Sequence, residues 1–177
     1  MKKPDMIIDL KQEAKDFRKW VEQKAIAVVG LREREASNSV GAIVALYNYD
    51  QHAWIVLDFN IDEEFEYGGD VSKASWDDAF DRPAWTPFVE AKGLMQMTLV
   101  EADGTPHSMT AEDVTDEFLS GHLGKMIEDV LTTAWSDGIF SALPLRPGFV
   151  IIVDDFNGSW GWGAKEVSGK LDELDEY

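Results

Sequence analysis

Apolar residues recur at helical spacing in two stretches of the chain, residues 5–29 and residues 111–136. Side chains three, four or seven positions apart share one face of a helix, so both stretches are predicted to be amphipathic helices. Thr110 is the predicted N-cap of the second helix, and Asp137-Gly138 is its predicted end. The apolar stripes consist of Ile7, Leu10, Ala14, Phe17, Val21 and Val28 in the first stretch, and of Val114, Phe118, Leu119, Leu123, Met126, Ile127, Val130, Leu131 and Ala134 in the second.

Apolar runs of strand length, rich in β-branched and aromatic residues, occupy residues 40–49, 53–61 and 149–153. The polar residues 50–52 separate the first two runs, which predicts an antiparallel hairpin. Both runs are apolar at successive positions in their centres, which indicates a sheet covered on both faces. The sequence therefore predicts one α+β domain over residues 1–177, with a central, mainly antiparallel sheet packed against an N-terminal helix and a long late helix.

Regular periodicity is absent from residues 62–86, which are predicted to form a long, irregular surface segment. The residue types at 94–100 are compatible with both helix and strand, and that choice stays open. Residues 103–106, Asp-Gly-Thr-Pro, predict a turn, and residues 170–177 form a polar acidic tail that is predicted to fray.

Charge is distributed unevenly, and the total of −18 conceals two opposite regions. Residues 1–35 carry nine basic and seven acidic side chains, whereas residues 36–177 carry seven basic and 27 acidic ones. Ten of the acids lie between Asp50 and Arg82. A field of this sign repels nucleic-acid phosphates and anionic lipids and attracts basic proteins, so we expect no nucleic acid and no membrane as partners. The alternative is that the acidity serves solubility alone.

Tryptophan is frequent, with seven residues in the chain, and four of these fall in segments predicted to be loops. Tryptophan anchors many binding interfaces, and carboxylates around it can pair with arginine or lysine of a partner. The alternative is that each tryptophan plugs an edge of the core. The predicted partner-binding residues are Asp62, Glu63, Glu64, Trp76, Asp77, Asp78 and Trp85, with a second patch at Trp160 and Trp162.

Motifs for catalysis and metal binding are incomplete. Residues 58–62 have the Asp-x-Asn-x-Asp spacing that opens a calcium loop, but Glu63 and Gly69 stand where glycine and a bidentate glutamate are required. Asp154 and Asp155 are adjacent at a strand end and would point to opposite faces of the sheet. The chain has no cysteine, which excludes thiolate chemistry. We therefore predict no catalytic residues, no metal and no cofactor. The apolar runs are far shorter than a membrane span and no apolar signal core follows Met1–Asp5, which predicts a cytoplasmic location.

The order of features resembles a family of small bacterial proteins of unknown function, some of which accompany polymorphic toxins as immunity proteins. The resemblance is carried by the N-terminal helix, the hairpin of 42–49 with 53–59, the tryptophan-containing acidic segment from Ser75 to Trp85, the helix ending near residues 135–140 and the closing strand 149–155. It is compatible with an immunity-type binding protein and supplies no catalytic residues.

Three functional hypotheses remain open at this stage. The first is a non-enzymatic acidic binding protein, such as an immunity-type inhibitor of a basic toxin. The second is a small-molecule or carbohydrate-binding protein or enzyme that uses the Trp160/Trp162 loop together with Asp154 and Asp155. The third is a stand-alone structural or regulatory protein.

Overall fold

The structure is a computed structural model that describes residues 6–32, 40–48, 54–60, 80–81, 96–110, 113, 116–155 and 165–166. The predicted tail at 170–177 lies outside these residues. The described elements are two helices and eight strands, so the predicted α+β class is confirmed.

The chain enters the fold as strand β1 (Met6–Asp9), and helix α1 (Leu10–Arg32) follows it without a break. Asp9 is the N-cap of α1, because its carboxylate accepts a 2.9 Å hydrogen bond from the Gln12 backbone N–H, three positions into the helix. The prediction that the helix begins at residue 5 is therefore wrong. Ile7, assigned to the helical stripe, instead lies on β1 with 63% of its surface exposed.

The larger sheet has five strands in the order β4-β3-β2-β7-β8. Its central strands β2 (Val40–Asn48) and β3 (Trp54–Asn60) are antiparallel, which confirms the predicted hairpin pairing. Strand β7 (Leu145–Asp155) pairs with β2 in parallel. The edges of the sheet are the two-residue strands β4 (Phe80–Asp81) and β8 (Lys165–Glu166).

Strand β7 shows that the sheet is covered on both faces. Ile151, Ile152 and Val153 are all buried. Successive strand residues point to opposite faces, so water is excluded from both sides of β7. The prediction of a doubly covered sheet is confirmed for this strand.

A second, three-stranded sheet has the order β1-β5-β6. Strand β5 (Gln96–Val100) lies in the middle, parallel to β1 and antiparallel to β6 (Pro106–Thr110). The stretch left open between helix and strand is thus a strand from residue 96. The predicted turn is confirmed: it closes the β5–β6 hairpin, with Gly104 at φ +92°.

Helix α2 (Asp116–Ser136) is shorter than predicted. Thr110 is the last residue of β6 and not an N-cap, and its N–H and hydroxyl donate 2.8 Å hydrogen bonds to the Asp113 carboxylate. The predicted end is confirmed. Gly138, at φ +76°, donates to the Trp135 carbonyl while Ile139 donates to that of Ala134, which is a Schellman motif.

One hydrophobic cluster contains residues of both helices and both sheets. Phe17 and Val21 of α1 and Ile127 and Leu131 of α2 are fully buried in it, as their predicted stripes require. The cluster also takes in Ile43 of β2 and, as its largest members, the rings of Phe17, Phe140 and Phe149. Burial of these residues couples the two helices to the sheets.

Candidate functional site

The predicted partner-binding residues all lie outside the residues that the structure describes. These are Asp62, Glu63, Glu64, Trp76, Asp77, Asp78, Trp85, Trp160 and Trp162. Their role in binding therefore stays a prediction, and the structure describes only elements that lie near them in the sequence.

The acidic segment 62–86 is not irregular throughout, because residues 80–81 form strand β4. Phe80 pairs with Ile55 and Asp81 pairs with Trp54, both on β3. The prediction that residues 62–86 are irregular is therefore wrong for residues 80–81. The segment is attached to the edge of the five-stranded sheet, two residues after Asp78 in the sequence.

Phe80 also packs into an aromatic cluster on helix α1. Its ring centroid lies 5.5 Å from that of Phe17 and 5.7 Å from that of Trp20, and the Phe17 and Trp20 rings stack at 5.8 Å. The Lys24 ammonium lies 5.2 Å from the Trp20 ring centroid, and burial lowers the pKa of Lys24. At Phe80, the acidic segment therefore contacts both helix α1 and strand β3 of the five-stranded sheet.

Two of the other tryptophans have core-packing roles. Trp20 belongs to the aromatic cluster, and Trp135 of α2 stacks on Phe149 of β7 with ring centroids 5.4 Å apart. Both are half-buried and pack against the hydrophobic core. For these two residues, the interpretation of tryptophan as a plug at the edge of the core is correct.

An open groove of about 300 Å³ runs between α1 and α2, beside the β5–β6 turn. Its lining is mostly apolar, and Lys15, Arg18 and Asp129 add charge at its rim. The remaining lining residues are Ala14, Ala102, Met126, Val130 and Thr133. Sequence reasoning missed this groove. The sequence shows small or apolar residues one helical turn apart on each of the two predicted helices. It does not show that these two helix faces lie against each other, and the groove depends on that contact.

Two of the three charged residues at this rim, Arg18 and Asp129, form ion pairs. Arg18 donates from Nε to Glu22 at 2.8 Å and from Nη2 to Asp137 at 2.9 Å. Burial lowers the pKa of Arg18, but these two carboxylates outweigh it and hold the pKa above its usual value. Lys125 donates to Asp129 at 2.6 Å, and this hydrogen bond raises the pKa of Lys125.

Next to the groove, the carboxylate of Glu101 lies between two imidazoles. Its oxygens are 3.8 Å from His107 Nε2 on β6 and 3.6 Å from His122 Nδ1 on α2. The imidazole of His122 also lies against the Phe118 ring, with centroids 4.2 Å apart. These separations are longer than hydrogen bonds. Among the described residues, no group of three histidine, aspartate or glutamate side chains has the geometry to hold a metal ion.

The carboxylates considered for calcium or acid–base chemistry belong to strands. Asp58 and Asn60 lie within β3, opposite Val44 and Ala42 of β2, and the calcium-like stretch leaves the described residues after Asn60. Asp154 and Asp155 end β7, opposite Leu46 and Tyr47. The prediction that they form a strand end is confirmed.

Comparison with protein families, with curated proteins and with solved structures finds no significant match to this chain. Neither helix of the described residues is long and apolar enough to cross a membrane.

Proposed function

We propose that this chain is a non-enzymatic acidic binding protein that binds a basic protein through an acidic, tryptophan-containing surface. The charge distribution carries the proposal, since residues 36–177 hold 27 acidic and only seven basic side chains. A surface of that sign accelerates encounter with a basic partner and disfavours acidic ones.

The attachment of the acidic segment at Phe80 supports this proposal. A binding segment loses less conformational entropy on association when the fold already holds one of its points. Phe80 supplies such a point through Phe17 and Trp20. Asp77 and Asp78 precede it in the sequence, so they belong to a segment that contacts helix α1 through Phe80.

The specific form of the proposal is an immunity-type inhibitor whose target is a basic toxin domain. Binding alone would suffice for such a protein, because covering the target's active surface needs no catalytic residue. The contact residues would be those of the acidic segment, with Trp76 and Trp85 as apolar anchors and the Trp160/Trp162 patch as a second contact.

The proposal is tested with the full chain carrying an affinity tag, used to capture proteins from its native host at low salt. The affinity of the retained protein is then measured for the wild type and for a variant with Glu63, Glu64, Asp77 and Asp78 changed to serine. We expect the variant to bind at least about tenfold more weakly and with a smaller dependence on salt, because charged contacts of the segment are lost.

A matched control changes Glu33, Glu35, Glu90 and Glu112 to serine, which removes the same charge at other places in the sequence. Binding of polylysine to both variants measures the effect of bulk charge. If the two variants lose affinity for the captured protein equally, the acidic segment is not the contact surface. If no basic protein is retained at any salt concentration, the proposed function is wrong.

A further inference from the structure

The groove between α1 and α2 has a floor and a rim of different chemistry. Ala14, Met126 and Val130 form an apolar floor, while Lys15 and Arg18 line the side that belongs to α1. The groove is open to solvent, so it suits the side chains of a polypeptide laid along it better than it suits an enclosed small molecule.

The rim carries one cation that no described carboxylate neutralises. Arg18 is paired with Glu22 and Asp137, and Asp129 is paired with Lys125. Lys15 is exposed and makes no ion pair with any residue that the structure describes. An incoming carboxylate would therefore find a partner at Lys15 without displacing an existing pair.

A second lysine extends this positive edge toward the β5–β6 turn. Lys11 lies one helical turn before Lys15 on the exposed side of α1. Its ammonium reaches the turn, where a Cβ on Gly104 would lie 3.6 Å from Lys11 Nζ. Lysines four residues apart on a helix lie on one face, so Lys11 adds positive charge beside Lys15. Because Lys11 already interacts with the Asp103 carboxylate of the turn, Lys15 is the main partner offered to a carboxylate of an occupant.

The chain itself contains a segment of the complementary chemistry. Residues 170–177 read Lys-Leu-Asp-Glu-Leu-Asp-Glu-Tyr, with four carboxylates and with Leu171, Leu174 and Tyr177 three residues apart. Apolar side chains at this spacing can enter an apolar groove while the intervening acids reach a basic rim.

We propose that the groove between α1 and α2 binds the acidic segment 170–177 of a second copy of this chain. The exchange is reciprocal, because each copy carries one groove and one segment. Two identical contacts close a twofold dimer, and the second contact forms within an existing complex. The contact opposes the general repulsion between two copies of charge −18, so it must rest on the local attraction at Lys15 and on apolar burial.

The proposal is tested by sedimentation velocity on the full chain over a concentration series at about physiological ionic strength, where charges beyond ~8 Å are screened. We expect a dimer, and we expect Lys15→Glu to raise its dissociation constant by about tenfold or more, since the reversed charge acts at both contacts. Lys165→Glu is the matched control. It makes the same change on β8, an edge strand of the five-stranded sheet, which does not line the groove.

A synthetic peptide of residues 170–177, added in excess, should shift the dimer toward monomer. A chain that is monomeric at every concentration overturns the proposal, including the case where its own copy of the segment fills the groove. A dimer weakened equally by Lys15→Glu and Lys165→Glu also overturns it. None of these results depends on a basic partner, so they separate this proposal from the proposed function.

Discussion

Replacing Phe80 by alanine tests the attachment of the acidic segment to the fold. Phe80 is half-buried, and its ring contacts Phe17 and Trp20 at centroid distances of 5.5 and 5.7 Å. A fully buried phenylalanine loses about 3–5 kcal/mol on truncation to alanine, and each aromatic pair adds about 0.5–1.5 kcal/mol beyond the buried area. For a half-buried ring, we expect Phe80→Ala to lower the free energy of unfolding by about 2 kcal/mol.

Urea denaturation followed by far-UV circular dichroism measures this loss, and Phe80→Leu serves as the control. Leucine keeps apolar contact with the Phe17 ring but removes the ring–ring pairs, so its loss should be about half that of alanine. A change below about 0.5 kcal/mol for Phe80→Ala would refute the attachment, because it is the size expected of an unattached surface residue. If the attachment also supports binding, Phe80→Ala should weaken binding of a basic partner even where the protein remains folded.

Other predictions concern the core, the end of α2 and the turn before it. Ile127 is fully buried, so Ile127→Ala should lower the free energy of unfolding by about 2–5 kcal/mol. Ile26→Ala is the same change at a residue 72% exposed and should lower it by less than about 0.5 kcal/mol. Equal losses for the two variants in urea denaturation would contradict the assigned core. Gly138→Ala should cost about 1 kcal/mol in the same assay from backbone conformation alone, because a Cβ there meets only ordinary contacts with Ser141, the nearest at 3.8 Å. Hydrogen bonds from the backbone and side chain of Thr110 lower the pKa of Asp113, so this carboxylate contributes stability above its unfolded pKa and loses it as the pH falls through the folded value. In thermal melts, Asp113→Asn should therefore be less stable than the wild type at pH 6 and equally stable in strong acid. If the variant is still less stable than the wild type at low pH, the Asp113 carboxylate charge is not the cause of the loss.

Local patterns predicted the helices and the β2–β3 hairpin well, because each depends on spacing within one stretch. They failed where a neighbouring element decides the structure. Met6–Asp9 fits the helical stripe as well as it fits a strand, and pairing with Met97–Val100 decides for the strand. The same holds for β4, whose two residues carry no strand signal of their own and are ordered by Ile55 and by the rings on α1.

The candidate site was harder to predict than the fold. Charge and tryptophan content single out the acidic segment without indicating how it meets the fold, and Phe80 gave no signal in the sequence. The groove depends on which faces of α1 and α2 meet, and the positions of Ala14 and Met126 in the sequence do not determine this. A cationic rim on so acidic a chain is visible only after Arg18 and Asp129 are seen to have partners and Lys15 is seen to have none among the described residues.

The two parallel strand pairs have a consequence for how the chain reaches its native state. β1 can pair only after β5 has been reached, far along the chain. β2 likewise pairs with β7, which lies beyond α2 in the sequence. Closing such long loops costs entropy before any pairing compensates for it, so topologies dominated by distant pairs fold slowly. On the ribosome, β2 and β3 would emerge as a hairpin, and the edge of β2 that β7 covers in the native sheet would stay unpaired until β7 is synthesised. During synthesis, the edge of β2 is therefore open to pairing with another molecule.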